Sequence, residues 1–203
     1  MVYPPPVRSG QPDGRTVSEI IEQRRAIQLF ASVADIAQAL TAELSTSEIV
    51  QVLMDEGMVG LGAQGAAVAL IDPDGWLAYI AAVGVAADLQ LNSGLVELDR
   101  RIPMAYAAST AEPVFVEPEA EAVERFPDIT AHREGCRAYA AVPLVLAGRP
   151  KAVLGVTFAQ ERRFDEVDRR FIVTVANLGA HALVSELGFE PRRIHREHVR
   201  PVY

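Results

Sequence analysis

The sequence is poor in cysteine, in long apolar runs and in positive charge. Its single cysteine, Cys136, cannot form an intramolecular disulfide, so nothing points to an oxidising compartment. A membrane-spanning helix needs about 20 consecutive apolar residues, and no stretch reaches that length. With 19 basic against 27 acidic residues the net charge is -8, which argues against a general nucleic-acid binder. We therefore expect a cytoplasmic protein that does not bind membranes and is not a general nucleic-acid binder.

Motifs for catalysis and metal binding are also missing. The four histidines show no metal-ligand spacing with acidic residues or with the cysteine. Asp72 and Asp74 lie two apart in DPDG, and we interpret them as turn residues, because an aspartate that starts a turn bonds the local backbone. No glycine-rich loop links a strand to a helix, and no serine lies in a nucleophile elbow. The sequence therefore predicts that the protein is not an enzyme, and it leaves any cofactor unknown.

Apolar residues, in contrast, make up 50% of the chain, which is enough for the core of one domain. Residues 1–15 contain four prolines and no signal-peptide apolar stretch, and they predict a disordered leader. Residues 16–188 predict a single domain. Residues 189–203 contain four arginines and two histidines and predict a basic tail. We interpret the tail as a solvated terminus or the start of a linker; contact with nucleic acid or an acidic partner stays open.

The domain begins with a long amphipathic helix. Apolar residues recur at three- and four-residue intervals from about Thr16 to Leu44, with Ser18 as the expected cap. Such a helix is about 40 Å long at 1.5 Å per residue. Its first half carries Ile20 and Ile27, and a lone apolar stripe has to be buried against something. We therefore expect a homodimer in which this helix and the closing helix pack against a second copy.

Two further helices are indicated by caps and periodicity. A serine cap, Ser45 or Ser47, starts a helix that glycines end near residue 62. The closing helix runs from about Asp165 to Leu187, with Phe164 placed to pack just before it.

Between these helices the sequence predicts strands. AAVALIDPDGWLAYIAAVG is a hairpin around a DPDG turn, and residues 137–147 and 151–160 form a second hairpin. EPVFVEP predicts an edge strand because prolines flank it. AADLQLN and RIPMAYAAST predict short helices, and residues 119–135 predict a helix followed by a loop. Tight turns make neighbouring strands antiparallel, so the fold class is α+β, a central antiparallel sheet covered by helices.

Four segments in this order carry a family resemblance: GAAVALIDPDGW, IPMAYAASTAEPVFVEP, RAYAAVPLVLAGRPKAVLGVTF and RRFDEVDRRFIVTVANLGAHAL. Between about residues 30 and 185 the chain resembles a GAF domain, a small-ligand-sensing module related to the PAS fold. The resemblance implies that the terminal helices cover one sheet face and that a ligand cavity lies on the other. It also implies dimerisation through the terminal helices and signalling to an output domain.

The candidate ligand-binding residues lie on segments that surround the cavity in this family: Tyr106, Phe115, Phe126, Arg137 and Tyr139. We expect the cavity between the sheet and segments 101–116 and 118–135, because these segments hold few large aliphatic residues and should pack loosely. A buried Arg137 would select a small anionic ligand. If Arg137 pairs with a neighbouring glutamate instead, the site closes.

Cys136 is the redox candidate. Arg133 and Arg137 lie close to it in sequence and favour a reactive thiolate, whereas the alternative is a partly buried, inert residue. In this family a cysteine that anchors a linear tetrapyrrole is followed by histidine, and here Arg137 follows. Thiol-dependent methionine sulfoxide reductases of this fold use further cysteines, which the chain does not contain.

Cyclic-nucleotide-binding relatives carry an Asn, Lys, Phe, Asp, Glu signature. Lys151, Phe164 and Asp168 correspond to three of these, but Arg169 replaces the glutamate and no suitable asparagine precedes Lys151. We therefore predict a non-catalytic sensory or regulatory module that binds an unidentified small molecule, dimerises, and signals to a partner protein or a missing output domain. The alternatives are a reductase of the free methionine sulfoxide type and a ligand-free dimerisation scaffold.

Overall fold

The computed structural model describes residues 16–84, 95–99, 101–117, 124–132 and 136–187. Within them the chain forms an α+β fold with helices packed on an antiparallel sheet, as the sequence predicts, and the sheet has six strands. The predicted leader, the basic tail and the short AADLQLN helix lie outside the described residues. Among the described residues, no helix combines the length and the apolar character needed to cross a membrane.

The regular elements, in chain order, are α1 (Val17–Ala39), α2 (Thr46–Val52), β1 (Gly65–Ile71), β2 (Trp76–Gly84), β3 (Leu95–Glu97), α3 (Pro103–Thr110), β4 (Val114–Val116), β5 (Ala138–Leu146), β6 (Arg149–Phe158) and α4 (Glu166–Leu187). A π-helical segment, Leu53–Met58, and a 3-10 turn, Val59–Leu61, continue α2. A second 3-10 helix spans Pro127–His132.

The strands lie in the order β3-β2-β1-β6-β5-β4. The DPDG turn joins β1 to β2, and Asp72 Oδ1 accepts hydrogen bonds from the backbone amides of Asp74 and Trp76 at 2.8 and 3.0 Å. Gly75 has a φ of 85°, which favours glycine. The geometry is therefore that of an aspartate-stabilised turn. β4 lies at the edge of the sheet, as its flanking prolines predict.

Thr16, not Ser18, caps α1. Thr16 Oγ1 accepts from the Glu19 amide at 3.3 Å, and the Glu19 carboxylate accepts from the Thr16 amide at 2.6 Å. This reciprocal arrangement needs a glutamate three residues after the cap, which Thr16 has and Ser18 lacks. The helix ends at Ala39 rather than Leu44. Just after its last residue, the Thr41 hydroxyl donates to the Gln38 carbonyl at 2.7 Å.

The described helices cover both faces of the sheet. On one face, α1, α2 and α4 bury a large core that includes Ile36, Leu53, Leu154 and Ile172. On the other face, a smaller core lies under α3 and the second 3-10 helix, and alanines supply about half of it. The arrangement matches the implication of the resemblance, with the terminal helices on one face only.

Candidate ligand cavity

A cavity of about 350 Å³ lies on the sheet face opposite the terminal helices. Strands β1, β2, β5 and β6 form its floor, and β3, the start of α3 and the second 3-10 helix complete its walls. The described lining residues are Ala67, Trp76, Tyr79, Leu95, Val96, Glu97, Ile102, Pro103, Met104, Asp128, Ile129, Tyr139, Ala140, Ala141, Gly155, Val156 and Thr157.

The floor is hollow because its central side chains are small. Gly155 on β6 pairs with Ala67 on β1 and with Ala141 on β5, so three neighbouring strands carry almost no side-chain volume at this level. A Cβ atom added at Gly155 would lie 2.6 Å from Met104 Sδ. Met104 therefore packs directly against Gly155 at the edge of the cavity, and a larger side chain at residue 155 would have to displace Met104 into the space that a ligand needs.

The walls are largely aromatic and apolar. Trp76, Tyr79 and Tyr139 contribute rings, and the Tyr79 hydroxyl donates to Met104 Sδ at 3.6 Å. Burial raises the pKa of Tyr79 to about 12, so its hydroxyl stays protonated at neutral pH. Tyr79 can therefore donate a hydrogen bond to a ligand but cannot act as a base there.

Two carboxylates, Glu97 and Asp128, also line the cavity. Glu97 is exposed at the end of β3, and Asp128 is half-buried in the second 3-10 helix. Asp128 Oδ2 accepts a hydrogen bond from the Arg101 backbone amide at 2.9 Å, which fixes the carboxylate at the wall. Among the described lining residues none is lysine, arginine or histidine.

The structure brings three of the five predicted pocket residues to this side of the sheet. Tyr139 lines the cavity itself. Phe126 is buried in the smaller core next to it, and Tyr106 packs edge-on against Phe126 with ring centroids 5.9 Å apart. The Arg125 guanidinium lies 4.5 Å from the centroid of the Tyr106 ring and covers its outer side. Tyr106 and Phe126 therefore support the wall rather than form it.

The expected positions of Phe115 and Arg137 need correction. Phe115 lies on the helix-covered face, 5.2 Å from the Phe164 ring, because Val114 and Val116 on either side of it turn towards the smaller core. Arg137 precedes β5, and its side chain is exposed rather than part of the lining. The expectation that Arg137 selects an anionic ligand therefore loses its structural basis.

Cys136 is buried, with 3% of its surface exposed, and it is not among the lining residues. Reactive thiols are accessible to solvent or substrate, so this position favours the inert interpretation. Within the described residues, no group of three or more histidine, cysteine, aspartate or glutamate side chains is placed to hold a metal ion.

Tyr139 is the only described lining residue that the sequence predicts, and the lining residues that it does not predict include Trp76, Glu97, Met104 and Asp128. Trp76 carried a usable signal, since it follows the DPDG turn directly and starts a strand. Glu97 and Asp128 belong to short elements, β3 and the second 3-10 helix, whose positions depend on long-range packing.

The comparisons with known proteins concern this whole unit. No curated protein matches the chain. The GAF domain of a phosphoenolpyruvate-protein phosphotransferase from Coxiella burnetii superposes with a TM-score of 0.68 at 16% identity, covering 80% of this chain and 96% of that one. Free methionine-R-sulfoxide reductase from Neisseria meningitidis gives 0.64 at 19% identity, covering 81% and 93%. A segment of a methyl-accepting chemotaxis protein gives 0.61 at 19% identity, covering 74% and 96%.

At these identities the structural neighbours show a shared fold, and their own names include both a chemotaxis protein and a reductase. The family model for the GAF domain matches residues 43–184, which is more than half of the sequence. The chain belongs to the GAF domain family.

Proposed function

We propose that this protein is a non-catalytic sensory or regulatory module that binds a small, largely apolar molecule and reports its presence to a partner protein or an output domain. The observation that carries the proposal is the cavity of about 350 Å³. Small-ligand sites are mostly apolar and aromatic clefts of about 300 Å³ or more with a few polar groups, and this cavity has that composition.

The same strands contact the cavity and the terminal helices, which provides a route for a signal. On β5, Ala141 forms part of the cavity floor, whereas the neighbouring Val142 belongs to the core on the opposite face, and β5 packs against α4 there. Because packed cores transmit small displacements, a ligand that moves β5 also changes its packing against α4.

Filling the cavity floor tests the proposal. We expect freshly purified wild-type protein to retain a small molecule in native mass spectrometry and Gly155→Val to lose it, because the added side chain would push Met104 into the cavity. Ala159→Val, in the exposed turn after β6, is the control and should retain the molecule. A folded wild-type protein that carries no ligand, and whose Trp76 fluorescence no metabolite in a broad panel changes, would favour the ligand-free scaffold.

We also propose that Cys136 has no catalytic role, although one structural neighbour is a reductase. The Cys136 thiol is buried and does not line the cavity, so a bound sulfoxide would not reach it, even with an external dithiol present to reduce a sulfenic acid. We expect no reduction of free methionine sulfoxide with a dithiol as electron donor. A thiol reagent should label the folded protein at least about 100-fold more slowly than the unfolded chain. Turnover that disappears in Cys136→Ser would contradict this expectation.

The partner that we propose for the exposed part of α1 is a second copy of the chain. Apolar side chains that remain exposed on this helix are Val17, Ile20, Ile21, Ile27 and Phe30. They include both residues that the sequence predicts for a dimer interface. Isologous packing of two such stripes removes apolar surface from water in both copies at once.

A further inference from the structure

We propose that the cavity takes a small organic cation, an ammonium group on an apolar body. The inference rests on the function proposed above and adds the chemical class of the ligand. Three features of the described lining support it: its charges, the placement of its rings, and the absence among these residues of any group that would neutralise its carboxylates.

The charges of the lining are of one sign. Glu97 and Asp128 are acidic, Tyr79 stays neutral at physiological pH, and no described lining residue is basic. An anionic ligand would meet two carboxylates without a counter-charge, whereas a cation would gain from both. The net charge of -8 on the whole chain adds a long-range field of the same sign.

The rings lie where they can assist the carboxylates. Trp76 and Glu97 are directly paired across β2 and β3, so the indole and a carboxylate belong to the same wall. An ammonium group near an aromatic face is attracted by the ring quadrupole, an effect of about 0.5–2 kcal/mol, and Trp is the most favourable ring. Trp76 and Tyr139 offer such faces, and the alanine-rich floor leaves space for the apolar part of the ligand.

A bare metal ion does not fit this site. Ions such as Ca²⁺ and Mg²⁺ need about six oxygen ligands, whereas this lining is mostly hydrocarbon and its two carboxylates come from separate elements. The combination of large apolar walls with two acids matches an organic amine better than an inorganic cation.

Three probes with nearly the same apolar body separate charge from shape: phenethylamine, phenethyl alcohol and phenylacetate. Trp76 is the only tryptophan in the chain, so its fluorescence reports on this cavity directly, and calorimetry gives an independent affinity. We expect phenethylamine to bind at least about fivefold more tightly than phenethyl alcohol, and phenylacetate to bind most weakly.

Neutralising the two acids tests which groups are responsible. In the double variant Glu97→Gln, Asp128→Asn, we expect phenethylamine to bind about tenfold more weakly and phenethyl alcohol to change by less than about twofold. Asparagine can still accept the hydrogen bond from the Arg101 amide, so the wall should keep its shape. The control Asp35→Asn, Glu112→Gln removes the same charge at exposed positions outside the cavity and should leave both affinities unchanged.

The outcomes distinguish this inference from the function on which it rests. If phenethyl alcohol or phenylacetate binds as tightly as phenethylamine, the cationic class is wrong and the cavity remains a ligand site. Equal losses in the double variant and its control would also overturn the inference, because long-range charge alone would then explain the preference. If no probe binds and no ligand is retained after purification, both proposals fail.

Discussion

Replacing Asp168 with asparagine is expected to lower the free energy of unfolding by about 3 kcal/mol. The Asp168 side chain is only 2% exposed and makes ion pairs with both Arg25 and Arg162. Arg162 Nε also donates to Asp168 Oδ2 at 3.1 Å. Neutralising the carboxylate leaves two cations without their buried partner. The loss in unfolding free energy should be at the lower end of the range for buried ion pairs, because both arginines retain some contact with water.

Asp168 is effective because it joins three parts of the chain. Arg25 lies on α1, Asp168 lies in the first turn of α4, and Arg162 also donates to the Leu61 carbonyl after the π-helical segment. Asp165 adds a second contact to Arg25 at 2.7 Å. Partial burial alone would raise the pKa of Asp165, but hydrogen bonds from the Asp168 amide and Arg25 hold that pKa below its usual value. These ion pairs and hydrogen bonds therefore hold the N-terminal half of α1 against the start of α4.

The matched control is Glu166→Gln, two residues before Asp168 in α4 and on the surface. Glu166 pairs with Arg170 at 2.7 Å, but both side chains are more than two-thirds exposed, so the loss should be below about 0.5 kcal/mol. Urea unfolding of the two variants measures both losses. Each loss is a shift of the urea midpoint, with the dependence of unfolding free energy on urea concentration unchanged. Equal shifts for Asp168→Asn and Glu166→Gln would show that the buried cluster contributes no more than a surface pair.

The sequence predicts the elements of this fold better than their ends. Periodic apolar residues locate α1 and α4, and the DPDG turn locates the first hairpin, because these signals depend on residues close together in the chain. The start of α1 is predicted near its true position, but its cap is assigned to Ser18 instead of Thr16, because a capping box requires the pair Thr16 and Glu19 to be considered together. The three-residue strand β3 was missed because its pairing with β2 depends on long-range contacts.

The cavity shows the same limit. Tyr139 was placed on the correct face because it lies inside the long strand β5, where alternation is regular. Strand alternation does not apply to Arg137, because this residue lies before β5 begins. For Phe115, alternation alone does not say which sheet face the side chain lies on, because that depends on how β4 pairs with β5. Glu97 and Asp128 meet at one cavity only through tertiary packing, so the sign of the charge in the site could not be predicted.

Charging the exposed stripe of α1 should convert the proposed dimer into a monomer. Ile20 and Ile27 are 41% and 60% exposed, and at 100° per residue they lie within about 20° of each other on the helix surface. The buried Leu29 lies about 180° from Ile20, so the domain core uses the opposite face. The stripe is therefore free to contact a second copy while α1 stays attached to its own domain.

We expect Ile20→Glu, Ile27→Glu to raise the dimer dissociation constant by at least about 100-fold, which corresponds to about 3 kcal/mol. Two-fold symmetry places each substitution in the interface twice, and the new carboxylates repel one another across it. Because both side chains are exposed within the single chain, its melting temperature as a monomer should change little.

Light scattering and sedimentation across a concentration series measure the change, with circular dichroism to confirm that the variant is folded. The control Gln64→Glu, Gln160→Glu adds the same charge at exposed positions outside α1 and should remain dimeric. A wild-type protein that is already monomeric at about tens of micromolar would contradict the proposed interface, since two apolar stripes of this size should associate well below that concentration.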